Sequence, residues 1–232
     1  MLQLLQWAQL PITYDEWTSE VSAQYDLFKN CVPLPGVPEL LSNLSSKTAP
    51  VVHIAIASSA TSKTFKTKTS HMPSIASAFP QECRVFGDDP AMSEARKKPL
   101  PDVFLLALGR INAHLDTTEE TEVRPKECLV FEDSVAGVEA GRRAGMRVCW
   151  VPHKGLREVW RGREMKVLEG KSEVDSKQDD TETILNGYQE HEQKHTQSKD
   201  RSHVWTEDGW AEMLTSLEGF DYDHYGIRLK EA

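Results

Sequence analysis

The chain of 232 residues lacks the features that mark a membrane or secreted protein. No run of about 18 apolar residues is present, so no segment is expected to span a bilayer as a helix. The apolar residues 1–7 have no basic residues before them and no small-residue cleavage site after them, which is atypical of a secretory signal. We therefore expect a cytoplasmic protein that does not contact membranes.

Cysteine and positive charge are also scarce. The four cysteines show neither Cys-x-x-Cys nor another metal-ligand spacing, so they predict buried thiols rather than a disulfide framework. Lys and Arg together number 27 against 36 Asp and Glu, which gives a formal net charge of −9. Such a surface repels phosphate backbones, and nucleic acid is therefore not expected as a partner.

The residues that are present are typical of a folded protein. Hydrophobic residues make up 39% of the chain, near the globular average, and this length can bury a sizeable core. Residues 1–30 carry apolar side chains at helical spacing on both sides of Pro11, which predicts a helical hairpin. The proline-rich residues 32–38 predict a stiff linker, and residues 39–44 resume a short amphipathic helix.

The pattern changes from helical to strand-like after this linker. Three short apolar runs predict strands at residues 51–57, 128–131 and 147–152, the first of them buried on both faces. Residues 102–111 and 134–144 predict helices between them. The sequence therefore predicts a three-layer α/β fold with a parallel sheet, whose ligands bind at the carboxyl ends of the strands.

A polar segment then interrupts the alternation of strands and helices. Residues 161–203 are dominated by Glu, Lys, Asp, Gln, Ser and Thr, and they cannot bury enough apolar surface to offset the entropy of ordering. We expect residues 165–200 to be disordered and dispensable. Order is expected to return at Trp205, and residues 210–220 predict a final strand or helix.

Polar residues with complementary chemistry follow the predicted strands. Ser58 and Ser59 end the first strand, Lys98 precedes a helix, and Glu132 with Asp133 ends the second strand. Each alone is typical of a turn, a solvated lysine or a helix cap. Together, a hydroxyl, an ammonium and adjacent carboxylates can hold a phosphoryl group and a hard cation such as Mg²⁺. The combination predicts a phosphate site beside a magnesium site.

Two stretches around these residues carry a resemblance to a known family. With residues 98–102 (KPLPD) and 131–146 (FEDSVAGVEAGRRAGM), the sequence resembles the haloacid dehalogenase superfamily of phosphotransferases. The similarity is to the helical-cap branch, which contains β-phosphoglucomutase, pseudouridine-5′-phosphatase and glycerol-3-phosphatase-like enzymes.

The resemblance implies a role for each candidate residue. Ser58 would hydrogen-bond the phosphoryl group, and Lys98 would steady the charge of the nucleophile and the phosphate, so both would act in catalysis. Ser59 would join them in binding phosphate. Glu132 and Asp133 would bind Mg²⁺ directly or through water.

The resemblance also implies a division of the chain, since it covers about residues 1–157 and resumes near 210–227. The implied parts are a remnant of the helical cap at 1–32, a Rossmann-like α/β core at 33–157, a polar, disordered insertion at 158–204 and a C-terminal return to the core at 205–232.

One motif of the resembled family is absent. Its members carry Asp-x-Asp-Gly at the end of the first core strand, which supplies the nucleophile and the acid/base. The Asp-x-Asp of this chain is Asp221-Tyr222-Asp223, which follows no apolar strand and precedes no Gly-Thr, so it predicts a turn or a solvated tail. Because no aspartyl-phosphate forms without the motif, we expect this chain to be inactive, and Met1 to be an internal methionine of a longer protein.

The missing motif has a structural consequence as well. In the resembled fold the first strand is the central one, and it lies between the strands that end at Ser58 and Asp133. Without it, the facing edges of these strands expose unpaired N–H and C=O groups unless they close together. We therefore expect a sheet that is rearranged or marginally stable.

Residues 191–195 spell the zinc-protease pattern His-Glu-x-x-His. Their flanks offer no apolar face by which a helix could pack on a core, so the pattern is interpreted as a solvated polar run.

The predicted function is that of a Mg²⁺-dependent phosphatase that hydrolyses a small cytosolic phosphate monoester through an aspartyl-phosphate. Two alternatives stay open, namely a catalytically inactive pseudophosphatase with a binding or regulatory role, and a sugar phosphomutase, which uses the same chemistry. The ester is not identified, because residues 1–30 contain no cluster of Arg or His to contact a leaving group. The sequence does not indicate the oligomeric state.

Overall fold

A computed structural model describes residues 9, 11–92, 96–116, 121–171 and 203–230 of the chain. None of the helices in these ranges is long and apolar enough to cross a bilayer. The helices are α1 (Tyr14–Ala23), α2 (Val37–Ser46), α3 (Ser62–Thr69), α4 (Pro73–Ser77), α5 (Asp102–Asp116), α6 (Val135–Arg143), α7 (Lys154–Val159) and α8 (Glu164–Leu168). The strands are β1 (Ile56–Ala57), β2 (Arg84–Val85), β3 (Leu129–Glu132), β4 (Arg147–Trp150), β5 (His203–Trp205) and β6 (Ala211–Leu214).

Helix ends follow the capping residues of the sequence. α1 begins after Thr13, whose hydroxyl accepts a hydrogen bond from the Glu16 N–H at 3.2 Å, while the Thr13 N–H donates to the Glu16 carboxylate at 2.8 Å. α6 begins after Ser134 and is followed by Gly145, which has a left-handed φ of +72°. The predicted helix over residues 134–144, closed by Gly145, is confirmed.

The strands form two sheets in the described part of the chain. The smaller sheet is the parallel pair β1–β2, in which Ile56 lies opposite Arg84. The larger has the order β3-β4-β6-β5, and only the β5–β6 pairing is antiparallel. The predicted parallel α/β arrangement is confirmed, and the C-terminal return supplies strands rather than a helix.

Successive residues from Val148 to Val151, in β4 and directly after it, alternate between two separate hydrophobic cores. Val148 and Trp150 pack in the core that contains the apolar residues of α5 and α6. Cys149 and Val151 pack in the opposite core, with Leu40 of α2. Because helices cover both faces of the sheet, the fold has the three layers that the sequence predicts.

β1 and β3 do not pair with each other among the described residues, since β1 pairs with β2 and β3 pairs with β4. Ala57 of β1 nevertheless packs against the core that contains Val130 of β3, and Ile54 packs against the opposite core together with Leu129. The two sheets therefore share both cores although β1 and β3 do not pair with each other within the described residues.

The predicted strand at residues 51–57 is shorter in the structure and less buried than expected. Only Ile56 and Ala57 pair with a neighbour, and Val51 is 65% exposed. A strand buried on both faces needs helices above and below it and a neighbour at each edge. Within the described residues β1 has a neighbour at one edge only.

The prediction that residues 158–204 form a disordered insertion is wrong for the first residues of this range. Residues 158–171 are ordered and include α8, and Val167 and Leu168 of this helix are 0% exposed in the core that contains Val138. The prediction of disorder gave more weight to the polar composition of the segment than to these two apolar residues. Residues 172–202, which include the His-Glu-x-x-His pattern, lie outside the described residues.

Candidate functional site

The predicted site residues lie at or beside the carboxyl ends of β1 and β3. Ser58 and Ser59 directly follow β1, Glu132 is the last residue of β3, and Asp133 follows it. Lys98 lies in the loop before α5, and its ammonium lies between the ends of the two strands.

Lys98 is the residue that joins the two sheets at this end. Its Nζ donates a hydrogen bond to the Ala57 carbonyl oxygen at 3.2 Å and pairs with the Glu132 carboxylate. It also lies 4.8 Å from the centre of the Phe104 ring. An ammonium has three N–H donors, and these contacts use two of them. One N–H can therefore donate to an anionic ligand.

Glu132 is held from two sides. One carboxylate oxygen pairs with Lys98, and the other accepts a hydrogen bond from Ser134 Oγ at 3.1 Å. The Lys98 and Glu132 side chains are only 10% and 7% exposed, so water screens their interaction little. The carboxylate also packs on Gly137, where a Cβ would lie 1.9 Å from Glu132 Oε2. Glycine at position 137 therefore makes room for this ion pair.

Ser134 and Gly137 were not predicted as site residues. Their signal in the sequence was present, because a serine before a helix is a common N-cap, and the Ser134 hydroxyl accepts the Gly137 N–H at 3.1 Å. The same hydroxyl also donates to the Glu132 carboxylate. That contact depends on the direction in which the Glu132 side chain extends from β3, which the sequence does not indicate.

The Ser58 hydroxyl has a hydrogen that it can donate to a phosphate oxygen. Its backbone N–H donates to the Val85 carbonyl at 2.9 Å, and its Oγ accepts the Ala60 N–H at 3.1 Å. Because Oγ acts as an acceptor there, its own hydrogen can donate to a ligand. Ser59 is exposed, and its carbonyl approaches Gly87 so closely that a Cβ there would lie 2.3 Å away.

Asp133 presents an exposed carboxylate at the end of β3. Its backbone is fixed by Trp150 Nε1, which donates to the Asp133 carbonyl at 3.3 Å. Trp150 is buried in the core, so the neighbouring strand holds the position from which the carboxylate projects.

Glu132 and Asp133 are the two carboxylates at the end of β3 that could bind Mg²⁺. Within the described ranges, no three or more His, Cys, Asp or Glu side chains form a cluster able to hold a metal ion. Mg²⁺ commonly binds through one or two carboxylates and completes its shell with waters and substrate phosphate oxygens. Asp133, with Glu132 beside it, fits that mode, and the exposed Asp133 is the better placed of the two.

Two further acids follow β2, and both make structural contacts. Asp88 accepts hydrogen bonds from the Ser62 N–H at 2.8 Å and the Ser62 hydroxyl at 2.7 Å, and these hold the pKa of Asp88 below its usual value. Asp89 pairs with Arg110 at 2.7 Å. These contacts fix the loop after β2 and the first turn of α3.

The Asp-x-Asp at 221–223 forms a turn. The Asp221 carboxylate accepts the His224 backbone N–H at 3.1 Å across the short 3₁₀ helix Asp223–Tyr225. Tyr222 packs against the core on the α2 side and accepts a hydrogen bond from Asn43 at 3.0 Å. This geometry supports the interpretation of the motif as a turn.

Comparisons with known proteins agree with these features. The sequence profile of a hydrolase family described as haloacid dehalogenase-like hydrolase matches residues 3–145. A protein of Saccharomyces cerevisiae named "probable pseudouridine-5′-phosphatase" is 36% identical over 167 residues, which cover 72% of this chain and 66% of that protein. (DL)-glycerol-3-phosphatase 1 of Arabidopsis thaliana is 37% identical over 131 residues, covering 56% of this chain and 39% of that protein.

Solved structures show similarity as well. The crystal structure of a haloacid dehalogenase-like protein of unknown function from Agrobacterium tumefaciens matches with a TM-score of 0.48 and 23% identity, covering 65% of this chain and 59% of that one. The chain spans at most 66% of the length of the two curated relatives described above. Because the family profile matches more than half of its residues, the chain belongs to the haloacid dehalogenase-like hydrolases.

Proposed function

We propose that this protein serves in the Mg²⁺-dependent hydrolysis of a small cytosolic phosphate monoester. The observation that carries the proposal is the position of the Lys98 ammonium, which lies 3.2 Å from the Ala57 carbonyl, pairs with Glu132 and has one N–H to donate. Relatives named as phosphatases of small phosphate esters support it.

The chain's own residues would bind and orient the phosphoryl group. Ser58 would donate its hydroxyl hydrogen to one phosphoryl oxygen, and Lys98 would donate its third N–H to another. The exposed Ser59 would contact the same group from the loop after β1. Asp133 and Glu132 would hold Mg²⁺, which when bound supplies positive charge that offsets the negative charge of the ester.

Hydrolysis through an acyl phosphate requires an attacking carboxylate. A carboxylate oxygen bonds to phosphorus as the ester P–O bond breaks, and the leaving alkoxide takes a proton from the acid/base that accompanies the nucleophile in the resembled family. Water then cleaves the acyl phosphate and releases inorganic phosphate. Ser58 and Lys98 stabilise charge in both steps but attack in neither. We assign the attack to an aspartate delivered on a strand between β1 and β3, next to the Lys98 ammonium.

Phosphate binding tests the site without requiring turnover. The 232-residue chain should bind inorganic phosphate in a calorimetric titration, more tightly when Mg²⁺ is present. Lys98→Met should weaken binding at least tenfold, and Asp133→Asn should remove the effect of Mg²⁺. Lys126→Met, at an exposed lysine before the amino end of β3, the end of the strand opposite to Glu132, is the control. Equal affinity of Lys98→Met and the control would overturn the proposal.

A non-catalytic role in binding phosphate is the second candidate, because the Ser58 hydroxyl and the Lys98 ammonium could donate to a phosphate without any attacking group. The two functions differ in a chain extended at its amino end by an apolar strand that ends in Asp-x-Asp-Gly. If the protein serves catalysis, this chain should hydrolyse an aryl phosphate, and Asp133→Asn should abolish the activity. Phosphate binding without turnover in the extended chain would favour the binding role. With a sugar phosphate as substrate, product analysis would separate a phosphatase from a phosphomutase.

A further inference from the structure

The loop that carries Lys98 is held by an arginine of α6. Arg143 Nη1 donates a hydrogen bond to the carbonyl oxygen of Pro99 at 3.3 Å. Pro99 directly follows Lys98, so this contact restrains the backbone from which the ammonium extends. The sequence around Arg143 gave no indication of this role, because an arginine in the last turn of a helix is usual there.

Arg143 is itself oriented by a buried acid. Its Nη2 pairs with the carboxylate of Glu139, one helical turn earlier, whose side chain is 0% exposed. The Arg143 side chain is 39% exposed, so the guanidinium extends from the buried carboxylate toward the surface loop. Guanidinium nitrogens lie in one rigid plane, and a fixed contact of Nη2 therefore sets the direction of Nη1.

The same helix also positions the partner of Lys98. At its amino end, Ser134 donates to the Glu132 carboxylate at 3.1 Å, and Gly137 leaves room for that carboxylate. At its carboxyl end, Arg143 holds the loop of Lys98. One rigid helix of nine residues thus contacts both sides of the Lys98–Glu132 ion pair.

We propose that Arg143, oriented by Glu139, is a positioning residue for Lys98. It would hold the Pro99 carbonyl so that the ammonium remains between the Ala57 carbonyl and Glu132, where its third N–H meets a phosphoryl oxygen. This inference rests on the proposed phosphate site. Arg143 does not touch the phosphate and acts only through the loop.

The test removes the pair without leaving a buried charge. Arg143→Met alone would remove the guanidinium that pairs with the buried Glu139 carboxylate, which is strongly destabilising. The double variant Glu139→Met/Arg143→Met removes both charges, and such apolar replacements of buried pairs are often neutral in stability. The matched control is Arg142→Met/Asp208→Asn. It removes the ion pair between the neighbouring arginine of α6 and Asp208, whose Nη2 and Oδ2 atoms lie 2.5 Å apart.

Two measurements are made on each variant. The first is the affinity for inorganic phosphate, which should weaken about tenfold in the Glu139/Arg143 variant and remain within twofold of wild type in the control. The second is the ¹H–¹⁵N signal of the Lys98 ammonium, assigned by its loss in Lys98→Met. This signal should shift or broaden only in the Glu139/Arg143 variant. Arg143→Lys keeps a cation beside Glu139 but lacks the second guanidinium nitrogen that contacts Pro99, so its phosphate affinity should fall as in the Glu139/Arg143 variant.

The outcomes separate this inference from the proposed function. A Glu139/Arg143 variant that keeps both the wild-type phosphate affinity and the wild-type Lys98 signal would show that the pair is purely structural. If the double variant does not fold, Arg143→Gln gives the same comparison, because its shorter amide can donate to the Glu139 carboxylate but lacks the guanidinium nitrogen that contacts Pro99. If wild type binds no phosphate, the proposed site fails, whereas the Lys98 signal still decides whether Arg143 positions that side chain.

Discussion

The Lys98 ammonium donates a hydrogen bond to the Ala57 carbonyl oxygen, 3.2 Å away, and so links two sheets whose described strands do not pair with each other. The same ammonium pairs with Glu132, the last residue of β3. Within the described residues, no backbone pairing joins β1 to β3. The Lys98 side chain connects their carboxyl ends instead. In the proposed site, this positive charge would contact the phosphoryl group.

Gly137→Ala tests how tightly the ion pair is packed. The new Cβ would lie 1.9 Å from Glu132 Oε2, so the carboxylate must move away from Lys98 or Ser134. We expect a loss of about 1–3 kcal/mol in the free energy of unfolding, as for overpacked sites, together with weaker phosphate binding. The measurements are urea denaturation and calorimetric titration.

Gly109→Ala in α5 is the matched control for this substitution. A Cβ at position 109 meets no atom within 4 Å, so only helix propensity changes. The control should gain about 0.5–1 kcal/mol in stability. If both alanine variants gain stability, Glu132 is free to relax and the close packing is unimportant.

Leu168→Ala tests the correction to the predicted insertion. Leu168 is 0% exposed in the core that contains Val138, so truncation should cost about 2–5 kcal/mol in the free energy of unfolding. Leu105→Ala, at an exposed leucine of α5, should change stability by less than about 1 kcal/mol. Equal thermal denaturation midpoints for the two variants would contradict the ordered position of α8.

The sequence predicted those features that depend on local patterns. The α/β alternation followed from short apolar runs between helical segments. Ser58 and Asp133 could be placed at strand ends because parallel strands end at the same edge of a sheet. These inferences needed only neighbouring residues in the chain.

Other features depend on contacts between distant residues and could not be predicted in this way. Val167 and Leu168 stand out as apolar within the polar residues 161–203, but their burial depends on a core formed by other elements. The link from Arg143 to Pro99 joins residues 44 positions apart. Only the packing of α6 beside the Lys98 loop brings them together.

Acid should weaken the contact between the C-terminal return and α6. The hydrogen bond from the Thr206 hydroxyl, at 2.6 Å, and then the contact with Arg142, lower the pKa of Asp208 from 3.8 to about 2. Because folding lowers this pKa, the ionised carboxylate stabilises the fold above about pH 4. That contribution is lost as the pH falls toward 2.

Asp208→Asn should therefore flatten the dependence of unfolding free energy on pH between about 4 and 2. The effect will be modest and will shrink in high salt, since the Asp208 side chain is 48% exposed. Denaturant titrations at several pH values measure it. Asp223→Asn, at an exposed aspartate, controls for the loss of one carboxylate. Identical slopes in wild type and Asp208→Asn would show that the Thr206 and Arg142 contacts do not form in solution.

The 232-residue chain should not hydrolyse phosphate esters, however much Mg²⁺ is supplied. Ser58, Lys98 and Asp133 can stabilise transferred charge, but catalysis also needs an attacking group, and the Asp-x-Asp at 221–223 caps a turn on the α2 side of the fold. The purified chain should therefore give only the uncatalysed rate with p-nitrophenyl phosphate. Turnover that disappears in Asp221→Asn or Asp223→Asn would show that the turn supplies the nucleophile after all. Turnover that survives both substitutions would mean that another residue attacks, and the assignment of the attack to an aspartate between β1 and β3 would have to be abandoned.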